Sequence, residues 1–92
     1  MLRFVWDRDK AAANFRKHGV TFDEAATAFG DALSLSIPDR EHSVDEERWL
    51  LLGQSAAGRL LVVAHTERND EIRIISARPA TRHERQTYEE DP

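Results

Sequence analysis

Between Arg48 and Ala77 three apolar runs follow one another with almost nothing between them, and no other stretch restricts the fold so much. The runs are Trp49–Gly53, Arg59–Thr66 and Glu71–Ala77, and they are rich in Leu, Val and Ile. Ala56-Ala57-Gly58 and Asn69-Asp70 separate them, and both are turn material. Apolar runs joined by turns this short predict an antiparallel three-stranded meander. Two tight hairpins leave little topological freedom, so the rest of the chain must supply cover and additional strands.

The flanking segments read accordingly. LRFVW at 2–6 is a short apolar strand, and Asp7 caps a helix from Arg8 to His18 that closes on Gly19. Ala11, Asn14, Phe15 and His18 fall on one stripe of that helix, with Asn14 expected to make a buried hydrogen bond to a loop. Thr21 or Asp23 caps a second helix, Phe22 to about Phe29, which Gly30-Asp31 breaks. ALSLSI at 32–37 alternates as a strand does, and Pro38 stops it. The polar run 39–47 reads as a solvated loop. Pro79 ends the third strand of the meander, and Thr81 with Glu84 forms a capping-box pattern that opens a last helix. The expectation is one α+β domain over residues 1–92. It has a small antiparallel sheet, the meander plus one or two further strands, with two N-terminal helices, one C-terminal helix, and the helices on one face.

Composition narrows the setting. No run approaches the roughly 18 apolar residues needed to span a bilayer, and MLRFVWDRDK holds no apolar stretch of signal-peptide length. The absence of cysteine suits a reducing compartment and removes thiolate chemistry, so a cytoplasmic chain without a membrane partner is expected. A net charge of −4 by itself argues against a nucleic-acid binder. Its distribution argues otherwise. All seven bases after Glu47 are arginine, and three of the acids there, Glu89, Glu90 and Asp91, form a terminal cluster. A guanidinium keeps its charge when partly buried and offers a planar fork to carboxylate or phosphate. A GC-rich genome would also write Arg for Lys.

Strand alternation places basic groups among apolar neighbours. In 59–68, Leu61, Val63 and His65 oppose Leu60, Val62, Ala64, Thr66 and Arg68; in 71–77, Ile72, Ile74 and Ser76 oppose Arg73, Ile75 and Ala77. Arg48, His65 and Arg73 are the candidates to line whichever face the helices leave open. Cleaving an RNA phosphodiester needs a 2′-hydroxyl activated, phosphate charge neutralised and the 5′-oxygen protonated. Arginine suits the second task and histidine the first or third. Tyr88 could stack a base or pass a proton. Arg78 could equally be a structural partner of Glu84 or Asp7. His42 lies among Asp39, Glu41, Asp45, Glu46 and Glu47 without an ordered ligand spacing, so that run reads as solvated surface and no metal or cofactor is expected.

Four segments together carry a family likeness: FVWDRDKAAANFRKHGVTFDEAATAF, RWLLLG, GQSAAGRLLVVAHTER and IRIISARPATRHERQTYEE. In combination, over residues 4 to 90, they resemble the BrnT toxins of bacterial type II toxin–antitoxin systems. The resemblance implies a RelE-like ribonuclease fold and an endoribonuclease that cleaves RNA to arrest translation and growth; with no ordered metal-ligand spacing in the chain, a metal-independent one is expected. It also implies neutralisation by a BrnA-type antitoxin in a dimeric assembly that meets operator DNA only through the antitoxin. Carried onto this sequence, it places functional positions at Arg48, Arg68, Arg73, Arg78 and Tyr88, with Lys17 and His18 as further RNA-binding candidates. His65 is added on chemical grounds, giving Arg48, His65, Arg73, Arg78 and Tyr88 as catalytic candidates and Lys17, His18 and Arg68 as RNA contacts. Ribonuclease toxins are commonly basic and this chain is acidic, which keeps a second reading open: a non-catalytic homologue acting as an antitoxin-binding module.

Overall fold

The computed structural model describes residues 2–90, so Asp91 of the terminal acidic cluster lies outside the described residues. Five strands, β1 (Arg3–Val5), β2 (Leu35–Pro38), β3 (Trp49–Gln54), β4 (Leu60–Arg68) and β5 (Glu71–Pro79), form one sheet in the order β1-β5-β4-β3-β2. The meander β3-β4-β5 is antiparallel as expected, and β2 extends it antiparallel to β3. The sheet as a whole is mixed, because β1 pairs parallel with β5, Arg3 opposite Glu71 and Val5 opposite Arg73. The other three strands and two helices lie between these two in sequence, so no hairpin constrains their relative direction.

Three α-helices surround the sheet: α1 (Arg8–His18), α2 (Phe22–Thr27) and α3 (Arg82–Glu90). Asp7 accepts a hydrogen bond from the Lys10 amide, and Gly19 takes the left-handed conformation at φ 69°, ending α1 within one turn of its last basic residues. Thr21 caps α2 through the Glu24 amide, and a 3-10 turn, Ala28–Gly30, replaces its expected last turn. Thr81 and Glu84 form the reciprocal capping box, each accepting from the other's amide.

Helices α1 and α2 cover one face. Val20, Phe22, Ala25 and Ala28 pack there on Leu51, Leu61, Val63, Ile74 and Ala77. Helix α3 does not join them. It lies over the opposite face, where His83, Glu84 and Thr87 approach Leu50, Leu52 and Val62. The expected helix-on-one-face arrangement is corrected on this point. Pro79 and the Arg78–Glu84 pair turn the chain towards that side.

Two polar details shape the covered face. Asn14 is buried on α1; its amide donates to the Val20 and Ala77 carbonyls and its oxygen accepts from the Ala77 amide. Because Asn14 takes the inward position, Phe15 points outward and is 54% exposed, against its expected place on the apolar stripe. Gly53 faces the 3-10 turn so closely that a Cβ there would meet the Ala28 carbonyl oxygen at 2.8 Å.

The run 32–37 is a strand only from Leu35. Ala32 and Leu33 form a turn in which Leu33 is 73% exposed, because Asp31 accepts from the Leu33 amide and bends the chain. Pro38 is tolerated as the last residue of β2 because that strand is an edge.

Candidate active site

Register decides which polar groups meet. Across the face opposite α1 and α2, Leu52, Val62 and Arg78 form one row, and Leu50, Ala64 and Ser76 the next. Thr66 and Arg73 form a third row, which Arg48 continues one residue before β3. Arg68 and Glu71 form the fourth. Between Ala64 and His65 the register slips, leaving Ile75 as an extra residue on β5. This bulge corrects the expected faces: Ser76 lies with Arg73, and Ala77 joins Ile74 against the helices.

Arg48, Thr66 and Arg73 floor a cleft of about 470 Å³. Its walls are Asp7 and Lys10 from the start of α1, Ile75 at the bulge, and Glu41, His42, Val44, Asp45 and Glu46 from the segment after β2. A depression of about 160 Å³ continues it past Arg73 to Arg68 and Glu71. The structure therefore brings Arg48, Arg68 and Arg73 together on one face. Arg73 donates to Glu46 at 3.1 Å, with both side chains well exposed. Among the described residues no carboxylate lies within salt-bridge distance of Arg48 or Arg68.

The segment 39–47 is more than solvated surface. The Asp39 amide donates to the Arg48 carbonyl at 2.8 Å, Ser43 Oγ donates to the Asp39 carbonyl at 2.7 Å, and the Arg48 amide donates back to Ser43 Oγ at 2.9 Å. These bonds close the segment into a loop around a 3-10 turn, Arg40–His42, and set it beside the sheet floor. Within it His42 Nδ1 meets both Asp39 carboxylate oxygens, at 3.0 and 3.1 Å. The spacing Asp39-x-x-His42 was the sequence signal for this pair, hidden inside an acidic run. Among the described residues no group of three or more His, Cys, Asp or Glu is arranged to hold a metal ion.

The remaining candidates lie elsewhere. His65 is fully buried on the helix-covered face, opposite Ile74, with Phe29 edge-on at 4.8 Å. Its Nδ1 and Nε2 each stand 3.1 Å from an acceptor, the Val63 carbonyl and a Glu67 carboxylate oxygen. Alternation grouped His65 correctly with Leu61 and Val63, and that group is the one beneath the helices. His65 therefore does not line the open face with Arg48 and Arg73.

Arg78 shares the open face, but its row is four β4 residues from that of Arg73, roughly 13 Å along the strand. Its guanidinium grips Glu84 with two parallel bonds of 2.8 and 2.9 Å. That fork is the largest cause holding the Glu84 carboxyl down to about 2. Tyr88 is half-buried on α3 and donates to Asp31, which lowers the aspartate's pKa and raises the tyrosine's. Lys17 and His18 end α1, about 10 Å along its axis from Lys10.

A sheet floor carrying Arg48 and Arg73, with Arg68 beyond them, and closed on one side by a hydrogen-bonded loop, defines a small α+β protein with a guanidinium-floored cleft on a mixed five-stranded sheet. Comparison with known proteins gives that class a family. The model of the ribonuclease toxin BrnT of type II toxin–antitoxin systems matches residues 6–84, and the chain belongs to this family. The 1.1 Å crystal structure of the Brucella abortus ribonuclease toxin BrnT is similar in fold, with a TM-score of 0.68 and 19% identity. The match covers 89% of this chain and all of that one. No curated protein matches the chain. Among the described residues no helix is long and apolar enough to cross a membrane.

Proposed function

We propose that the chain is a metal-independent endoribonuclease, a single toxin domain over residues 1–92 of RelE-like descent. It cuts RNA in the cytoplasm to stop translation and growth, and a BrnA-type antitoxin neutralises it in a dimeric assembly that reaches operator DNA through the antitoxin. One observation carries the reading: Arg48 and Arg73 flank Thr66 on the floor of a single cleft. Two guanidinium forks on a fixed floor suit the non-bridging oxygens of a phosphodiester and the charge that builds on them during cleavage. Glu46 is no obstacle to this. An exposed ion pair is worth about 0–1 kcal/mol, so a phosphate contacting both arginines displaces it. Arg68 extends the phosphate track, and Arg78 and Tyr88 hold α3 in place.

A second reading has its own support. Four of the five catalytic candidates, His65, Arg73, Arg78 and Tyr88, contact carboxylates, and four acids line the cleft beside three bases. A chain of this kind also suits a non-catalytic module that holds an antitoxin. Expression in bacteria without an antitoxin separates the two. The ribonuclease reading predicts growth arrest with loss of RNA, relieved by Arg48→Ala or Arg73→Ala in protein that still folds. A harmless wild-type chain supports the binding module.

A further inference from the structure

A phosphate seat alone does not cleave RNA; something must move a proton at the 2′-oxygen. The chain has four histidines, His18, His42, His65 and His83. His18 ends α1 away from the cleft, His65 is enclosed beneath the helices, and His83 faces the groove under α3. Only His42 lines the cleft that holds Arg48 and Arg73. We propose that His42, oriented by Asp39, is the general base of this cleft, acting on an RNA 2′-hydroxyl next to the phosphate on Arg48 and Arg73. The inference rests on the ribonuclease reading and adds its proton-transfer residue.

The geometry supports each part of the role. A carboxylate can only accept, so in the neutral ring the contact of His42 Nδ1 with both Asp39 oxygens selects the tautomer with its proton on Nδ1 and the lone pair on Nε2. Among the described residues Nε2 has no hydrogen-bond partner. The Asp39 side chain is 14% exposed and the His42 ring 60%, an anchored orienter beneath an accessible base. The dyad is also tied to the phosphate seat. The Asp39 amide bonds the Arg48 carbonyl, and Ser43 Oγ bridges Asp39 and Arg48. The base and one of the two arginines therefore share one closed loop.

The step balances without a co-reactant. Nε2 takes the 2′-hydroxyl proton as the bond from the 2′-oxygen to phosphorus forms. The bond from phosphorus to the 5′-oxygen then breaks, and the imidazolium returns the proton to the departing oxygen. The products are a 2′,3′-cyclic phosphate and a 5′-hydroxyl end. The ring finishes as it began.

A purely structural pair would also join Asp39 and His42 across a 3-10 turn, so the test must separate folding and binding from turnover. Wild type, His42→Ala, His42→Gln and Asp39→Asn are assayed on a mixed-sequence single-stranded RNA and on messenger RNA under translation in a bacterial extract. Binding is measured on the 2′-O-methyl form of the same RNA, which cannot be cut. Both His42 variants should lose about 100-fold or more in cleavage, with added imidazole restoring part of the His42→Ala rate, and Asp39→Asn should lose less. Thermal midpoint should stay unchanged, and affinity for 2′-O-methyl RNA within about threefold. A folded His42→Ala that cleaves at the wild-type rate overturns the inference alone, as does a loss matched by weaker binding or lower stability. A wild-type chain that cuts neither RNA overturns the ribonuclease reading and this inference with it.

Discussion

Arg73 and Arg78, five residues apart on β5, project from the same face of the sheet, one opposite Thr66 and the other opposite Val62. Regular alternation would set them on opposite faces, and the bulge at Ile75 brings them round. Their environments still differ. Arg73 meets Glu46 through one bond on an exposed cleft floor, whereas Arg78 is clamped to Glu84 beneath the start of α3. The first is available to a ligand; the second holds a helix.

The clamp gives an acid signature. Glu84 falls from 4.5 to about 2 in the folded chain, chiefly through the Arg78 fork. A depressed carboxylate stabilises the fold fully above about pH 4.5, and this contribution is lost as pH falls from there through about 2. Arg78 is 38% exposed, so solvent screening reduces the effect to about 1–2 kcal/mol. Urea denaturation should show Glu84→Gln less stable than wild type by that amount at pH 7, with a smaller gap at pH 3. An equal gap at both pH values would refute the assignment.

Gly53 provides a purely steric prediction. Gly53→Ala puts a methyl group 2.8 Å from a backbone oxygen, where no flexible side chain can yield. It should cost about 1–3 kcal/mol in chemical denaturation. A neutral result would mean that the turn at Ala28 does not press on β3 in solution.

The parts of this fold set by local chemistry could be read from sequence, and those set by register could not. Asp7, Gly19, Thr21 and the Thr81–Glu84 box mark helix ends through bonds spanning three or four residues. The meander follows from its short turns. Nothing local reveals that β1 runs parallel to β5, or that Ile75 bulges and shifts Ser76 and Ala77 by one face. The same limit governed the site. His65 had the right chemistry and was grouped with its true face-mates Leu61 and Val63, but sequence did not say that the helices cover that face, so its expected place beside Arg48 and Arg73 was wrong. His42 was passed over because its neighbours are acidic. The closure of its loop depends on Ser43 joining Asp39 to Arg48, a contact no periodicity encodes.

His65 should therefore behave as a core residue. His65→Ala removes a fully buried ring packed against Phe29 and should destabilise the fold by about 2–4 kcal/mol. Folded at low temperature, the variant should cut RNA at the wild-type rate. A stable but inactive variant would return His65 to the catalytic group.

Salt dependence reports how many phosphates the cleft holds. Two or three contacts, from Arg48, Arg73 and Arg68, predict a slope of about −1.4 to −2.1 in log affinity against log salt for single-stranded RNA. Fluorescence anisotropy on 2′-O-methyl RNA across a salt series measures it. A slope near zero would mean that the arginines do not meet the backbone.

The most direct measurement compares two arginines on one substrate. Arg73 floors the cleft, whereas Arg85 is exposed on α3. With purified protein and single-stranded RNA, Arg73→Ala should lower the cleavage rate by about 100-fold or more, and Arg85→Ala should leave it unchanged. Equal rates for the two variants, or an Arg73→Ala chain that cuts as fast as wild type, would contradict the account.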